Sequence, residues 1–185
     1  SSLPGPVGVR TPNGFCGWET AVRVILGQQV TVAAARTLTA RLVERFGEPI
    51  ATPFADLTRL FPTAAKIARA DAEDIGTLGI VRQRVGALQA LAREVAAGRI
   101  ELHRSAPLER TQQALRELPG IGDWSVQLIA MRALAWPDAF PASDIGVLNA
   151  LGTRDIKAAA AASQAWRPWR SYAVMRLWQS LETGT

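Results

Sequence analysis

The sequence predicts an all-α fold, and three observations carry that prediction. Apolar residues recur at helical spacing through most of the 185 residues. Glycine and proline fall between those segments, where helices stop and start. No convincing stretch alternates apolar and polar residues as a half-buried strand would.

The elements follow in order. Ser1 to Gly14 is rich in proline and glycine and reads as an extended arm. Trp18 to Leu26 puts Ala21, Val22, Ile25 and Leu26 on one helical face, and Gly27 closes it. Gln28-Gln29-Val30 is a short link. Thr31 to Phe46 is amphipathic and ends at Gly47. Pro53 to Leu60 and Pro62 to Ala70 read as two short helices, each with proline near its start. Asp71 to Leu78 is another, with Asp71 as its cap and Gly79 as its break. Val81 to Ala97 is a long helix stopped by Gly98. Pro107 to Glu117 and Trp124 to Leu134 flank a tight turn. Asp144 to Leu151 is short, Asp155 to Trp166 is alanine-rich, and Pro168 opens a last helix to about Leu181. Leu78-Gly79-Ile80 faintly echoes the turn at 118–122.

Composition removes several chemistries. Cys16 and His103 are the only cysteine and histidine. A disulfide framework, a cysteine cluster and histidine-based nucleophilic catalysis are therefore excluded. The apolar runs are too short to span a bilayer, and no signal peptide is visible. The net charge of +5 favours an anionic partner, although arginine-rich composition alone gives the same balance. Ser1 is not an initiator methionine, so a preceding N-terminal domain is expected.

The turn is Leu118-Pro119-Gly120-Ile121-Gly122-Asp123-Trp124. Pro119 stiffens the approach, and the two glycines are read as allowing positive φ and close backbone approach. Its amides and the following helix start can then hold a phosphate. A helix–helix turn that binds nothing is the alternative. Asp123 suits the helix dipole but sits poorly near a phosphate. Asp144 follows in Pro141-Ala142-Ser143-Asp144. Locally it reads as an N-cap. Beside a phosphate grip, a placed carboxylate also suits chemistry on a DNA sugar, where it would stabilise developing cationic charge.

Other candidates carry weaker signals. Trp124 and Trp178 read either as core or as walls that stack on an extruded base. Gln28-Gln29-Val30 can place a side chain in the space such a base leaves. Arg167-Pro168-Trp169-Arg170-Ser171-Tyr172 is basic and aromatic. It reads equally as a backbone contact and as a helix start pinned by packing.

Taken together, Ile25-Leu26-Gly27-Gln28-Gln29-Val30-Thr31-Val32, Leu118 to Trp124, Phe140 to Asp144 and Trp166 to Ala173 through Trp178 resemble the 3-methyladenine DNA glycosylase II family of the helix-hairpin-helix superfamily. The resemblance runs from about Pro6 to the C-terminus. It implies two helical subdomains flanking a cleft, with the helix-hairpin-helix at about 108–134. It implies Asp144 as the catalytic carboxylate. Trp124, Trp178 and Leu128 would line the base pocket, Leu128 standing where some members have a tyrosine. Gly120, Gly122 and Ser125 would offer amides to the DNA backbone, Arg170 would contact it, and Gln29 would plug the duplex gap. The carbonyls of Arg116, Leu118 and Ile121 would match positions that hold a monovalent cation. No other cofactor is implied.

The implied partner is double-stranded DNA containing alkylated bases, met by a cytoplasmic monomer. The implied reaction is hydrolysis of the N-glycosidic bond of 3-methyladenine or 7-methylguanine in base excision repair. Bifunctional relatives carry a lysine where this chain has Trp124, so strand cleavage is not expected. Two alternatives stay open: a non-catalytic helix-hairpin-helix DNA-binding module, and a glycosylase for deaminated or oxidised purines.

Overall fold

The computed structural model describes residues 8–182, so the first part of the predicted arm lies outside it. Among the described residues there are ten α-helices. They are α1 (Gly17–Leu26), α2 (Val32–Phe46), α3 (Ala64–Arg69), α4 (Ala72–Gly76), α5 (Arg82–Ala96), α6 (Leu108–Arg116), α7 (Asp123–Arg132), α8 (Ile145–Ala150), α9 (Ile156–Ala162) and α10 (Arg170–Glu182). A 3₁₀ turn, Ser163–Trp166, ends the predicted 155–166 helix.

Side-chain oxygens set several helix starts. Thr31 accepts from the Ala34 amide, Thr63 from Lys66, Asp71 from Glu73 and Asp155 from Lys157. Each satisfies a donor that the first helical turn leaves over. The helix α7 buries Val126, Leu128, Ile129, Ala130 and Met131, apolar on nearly every side. Such a helix belongs in the middle of the molecule. It packs on α1 and α6, and α1 packs on α5. The arm docks where α7 ends, with Gly14 N–H donating to the Arg132 carbonyl at 3.1 Å.

Residues 53–60 are not the predicted helix. The chain there folds back through an antiparallel bridge between Pro49 and Arg59. The Ile50 amide bonds to the Thr58 carbonyl at 2.9 Å and the Leu60 amide to Glu48 at 2.8 Å. The Thr52 hydroxyl accepts from the Phe54 amide at 3.2 Å and reaches the Leu57 carbonyl at 2.9 Å. That local bonding competes with a helical turn. Arg59, paired to Glu44 on α2, secures the loop from outside.

Two groups of helices result. The first is α1 to α7; the second is α8 to α10, with α8 packed on α9 and α10. One apolar core runs through both, from Trp18 and Leu42 to Val147, Val174 and Leu177. The start of α8 lies at their seam.

Candidate functional site

The local cap and the candidate catalyst at Asp144 are the same group. Its Oδ1 accepts from the Val147 amide at 3.0 Å and so caps α8. The same oxygen accepts from Trp178 Nε1 on α10 at 2.9 Å. Its Oδ2 accepts from Trp124 Nε1 on α7 at 2.9 Å. Three helices thus converge on a carboxylate only 9% exposed. A cap needs one oxygen and one amide. Here the two indoles also fix its plane, while Oδ2 keeps lone-pair capacity beyond its single donor.

The indole edges face the carboxylate, and both rings are partly buried against the core. One face of Trp178 is already shared. The Arg132 guanidinium sits 5.6 Å from its centroid, a cation–π arrangement. Burial pushes Arg132 below its ordinary value, yet a guanidinium starts so high that it keeps its proton. Leu128 lies one turn beyond Trp124 on α7 and is buried in the core.

Gly146 was not a candidate from sequence, yet it makes this arrangement possible. A Cβ there would stand 2.9 Å from Trp178 Cδ1 and 3.1 Å from Asp144 Oδ1. The only hint in the chain is a glycine inside a short helix, where it costs helical stability.

The hairpin between α6 and α7 is built from backbone. Gly120 has φ +76°, and a Cβ on it would meet Ala87 of α5 at 3.0 Å. The expectation of positive φ at both glycines is corrected for Gly122. Its φ is −85° with ψ 175°, extended backbone that any residue adopts, and open space surrounds it. Gly122 is the N-cap of α7 and supplies no side-chain cap, so the first amides of the helix, including that of Ser125, have no capping side chain. Gly120 and Gly122 are exposed, whereas Ser125 is buried. Asp123 is drawn toward Arg116 at 3.5 Å.

Gln29 is exposed at the tip of the α1–α2 link, with φ +52°. Its neighbour Gln28 reaches the hairpin: Nε2 donates to the Gly120 carbonyl and to Ser125 Oγ, each at 2.9 Å. Nothing local to residues 27–31 signals that contact, whose partners lie 92 and 97 residues away.

Arg170 is a correction. It is 8% exposed, and its guanidinium grips Asp138 through Nε to Oδ1 at 2.7 Å and Nη2 to Oδ2 at 2.9 Å. Nη2 also donates to the Asp138 carbonyl at 2.7 Å. All this fastens the start of α10 to the segment before Phe140, and Ser171 Oγ accepts from the Ala139 amide at 3.0 Å. Arg170 therefore fixes the helix that carries Trp178 and is not free to meet a phosphate. Of the two readings of 167–172, packing is right for this residue.

Known proteins share this architecture. The description of HhH-GPD superfamily base excision DNA repair proteins matches residues 22–166. A Mycobacterium tuberculosis protein named a probable bifunctional transcriptional activator/DNA repair enzyme is 38% identical over 95% of this chain and 36% of its own length. DNA-3-methyladenine glycosylase 2 of Escherichia coli is 32% identical over 92% of this chain and 60% of its own length. The chain thus spans between about a third and three fifths of these relatives. The Archaeoglobus fulgidus 3-methyladenine DNA glycosylase structure superposes with a TM-score of 0.78 at 22% identity, covering 93% of this chain and 60% of that one. A Schizosaccharomyces pombe 3-methyladenine DNA glycosylase, solved with abasic DNA, gives 0.72 at 19% identity, covering 100% of this chain and 88% of that one. At those identities the structures speak for the fold. The chain belongs to the HhH-GPD superfamily of base excision DNA repair proteins.

Proposed function

We propose that this chain is the glycosylase part of a longer monofunctional enzyme. It would act as a cytoplasmic monomer, hydrolysing the N-glycosidic bond of 3-methyladenine and 7-methylguanine in double-stranded DNA. The observation that carries the reading is Asp144, a buried carboxylate held by two indole N–H groups. A non-catalytic DNA-binding module has no use for that arrangement. Relatives named for 3-methyladenine support the substrate class.

The chemistry follows from the groups present. The hairpin amides at Gly120, Gly122 and the start of α7 bind a phosphate, which needs no side chain. Gln29 enters the gap that the extruded nucleotide leaves. The base lies against Trp124 and Trp178. As the bond from C1′ to the base nitrogen breaks, the base keeps the electron pair and the sugar becomes cationic. Asp144 stabilises that cation, and water adds to C1′ with loss of a proton. A methylated purine is already cationic, so it leaves without a protein acid. The two lysines, Lys66 on α3 and Lys157 on α9, lie outside the hairpin and α8, which agrees with a lack of strand cleavage.

The hairpin carbonyls are suited to a monovalent cation. Leu118 accepts only a long bond from the Ile121 amide, 3.3 Å, and among the described residues no donor is bonded to the Arg116 or Ile121 carbonyl. A bound cation would add positive charge under the phosphate.

One observation favours the second reading, neutral lesions such as hypoxanthine. Arg132 already occupies a face of Trp178, which weakens the pull of that ring on a cationic base. Incubating the protein with methylated duplex and with hypoxanthine duplex, then chromatographing the released bases, decides between them. Methylated purines should appear first and fastest. Faster hypoxanthine release would overturn the substrate class while leaving Asp144 in its role.

A further inference from the structure

The link between α1 and α2 and the hairpin between α6 and α7 are far apart in sequence, yet one side chain joins them. Gln28 spends both amide hydrogens on the hairpin, one on the Gly120 carbonyl and one on Ser125 Oγ. The choice of acceptors matters. A hairpin that holds a phosphate must present N–H groups and turn its carbonyl oxygens away, because a carbonyl dipole facing an anion repels it. The Gly120–Ile121 peptide is held at both ends: its carbonyl by Gln28, its N–H by the Leu118 carbonyl. From below, Ala87 limits how far Gly120 can move.

The next residue, Gln29, sits at φ +52°, a left-handed conformation that an L side chain adopts at a cost. The surrounding structure must hold it there, and the anchored Gln28 is its immediate neighbour. We propose that Gln28 is a positioning residue that locks the phosphate-binding hairpin to the link carrying Gln29, so that backbone grip and insertion act as one unit. The proposal rests on the DNA-glycosylase reading above.

The test is a double-mutant cycle read on duplex DNA holding a stable abasic-site analogue. Gln28→Leu removes both donors, and two hydrogen bonds of ordinary worth correspond to a loss of affinity of about tenfold. Gln29→Ala should weaken wild-type binding severalfold, but should cost almost nothing further in the Gln28→Leu background. A purely structural Gln28 would lower the melting temperature and leave the Gln29→Ala penalty unchanged. That result overturns the proposal, as does a folded Gln28→Leu protein with wild-type affinity. Should Gln28→Leu fail to fold, Ser125→Ala decides. It removes one acceptor and should cost about threefold in affinity, with an unchanged affinity overturning the proposal. If the wild-type protein binds no duplex and releases no base, the DNA reading fails and the brace with it. Wild-type binding with silent variants sinks the brace alone.

Discussion

At the hairpin, the groups offered to a partner are backbone amides on exposed glycines, with open space around Gly122. At Asp144, they are side chains from three helices, packed so closely that a single methyl at Gly146 would collide with them. Only Asp123 separates Gly122 of the first region from Trp124 of the second. They show two ways of fixing polar groups. A grip that tolerates any DNA sequence can be made of main chain, and its side chains are then free to vary. A reacting carboxylate has to be desolvated and aimed, so it depends on distant residues that must all be right. Substitutions at the seam should therefore damage chemistry or stability, while one at the open Gly122 should act mainly on affinity.

The sharpest way to break that contrast is at the Asp138–Arg170 pair. Arg170→Ala leaves the buried Asp138 carboxylate with only the half-exposed Arg167 guanidinium, 3.2 Å away, and should cost about 3 kcal/mol of stability in denaturant titration. A loss of DNA affinity at unchanged stability would return Arg170 to the DNA surface. Next comes Gly146→Val. It must push Trp178 off Asp144, and single-turnover excision should fall by about a hundredfold, as for loss of a main electrostatic contact. Duplex binding should be kept. A milder change, Trp178→Phe, removes one N–H donor and should slow excision by roughly tenfold, the worth of a hydrogen bond to a charged group.

The smallest effect belongs to the hairpin. In Gly122→Val the new Cβ meets no protein atom within 4 Å and requires no unusual φ, so circular dichroism should match wild type and melting should fall only slightly, through the poorer N-cap. Its main consequence is to crowd an approaching phosphate. Affinity should fall severalfold for every duplex sequence, and isotherms at several salt concentrations should show a smaller salt dependence. A strongly destabilised protein would mean that this glycine serves the fold.

What was legible in the sequence was local. Helices announced themselves through caps and glycine stops, as at Thr31 to Phe46 and at Asp71. The hairpin stood out because proline and two glycines fall between amphipathic segments. What was hidden depends on partners far along the chain. Arg170 looked like a phosphate contact because Asp138, 32 residues earlier, carried no sign of pairing with it. Gln28 meets acceptors 92 and 97 residues away. The 53–60 segment failed as a helix because Thr52 and Arg59 make bonds that helical periodicity does not encode. Gly122 departs from the expected positive φ because a glycine in a turn signals freedom without saying whether it is used. Gly146 carries little local signal because its need arises from Trp178, on another helix.

The central claim is that Asp144 does chemistry and does not merely cap α8. Asp144→Asn keeps a side-chain oxygen for the Val147 amide but removes the negative charge. The direct measurement is single-turnover release of methylated purine by this variant, with its affinity for the same duplex measured alongside. The account predicts excision slower by about a hundredfold or more, with binding unchanged or tighter because a charge that repels phosphate is gone. Near-normal excision by a folded Asp144→Asn protein would contradict it.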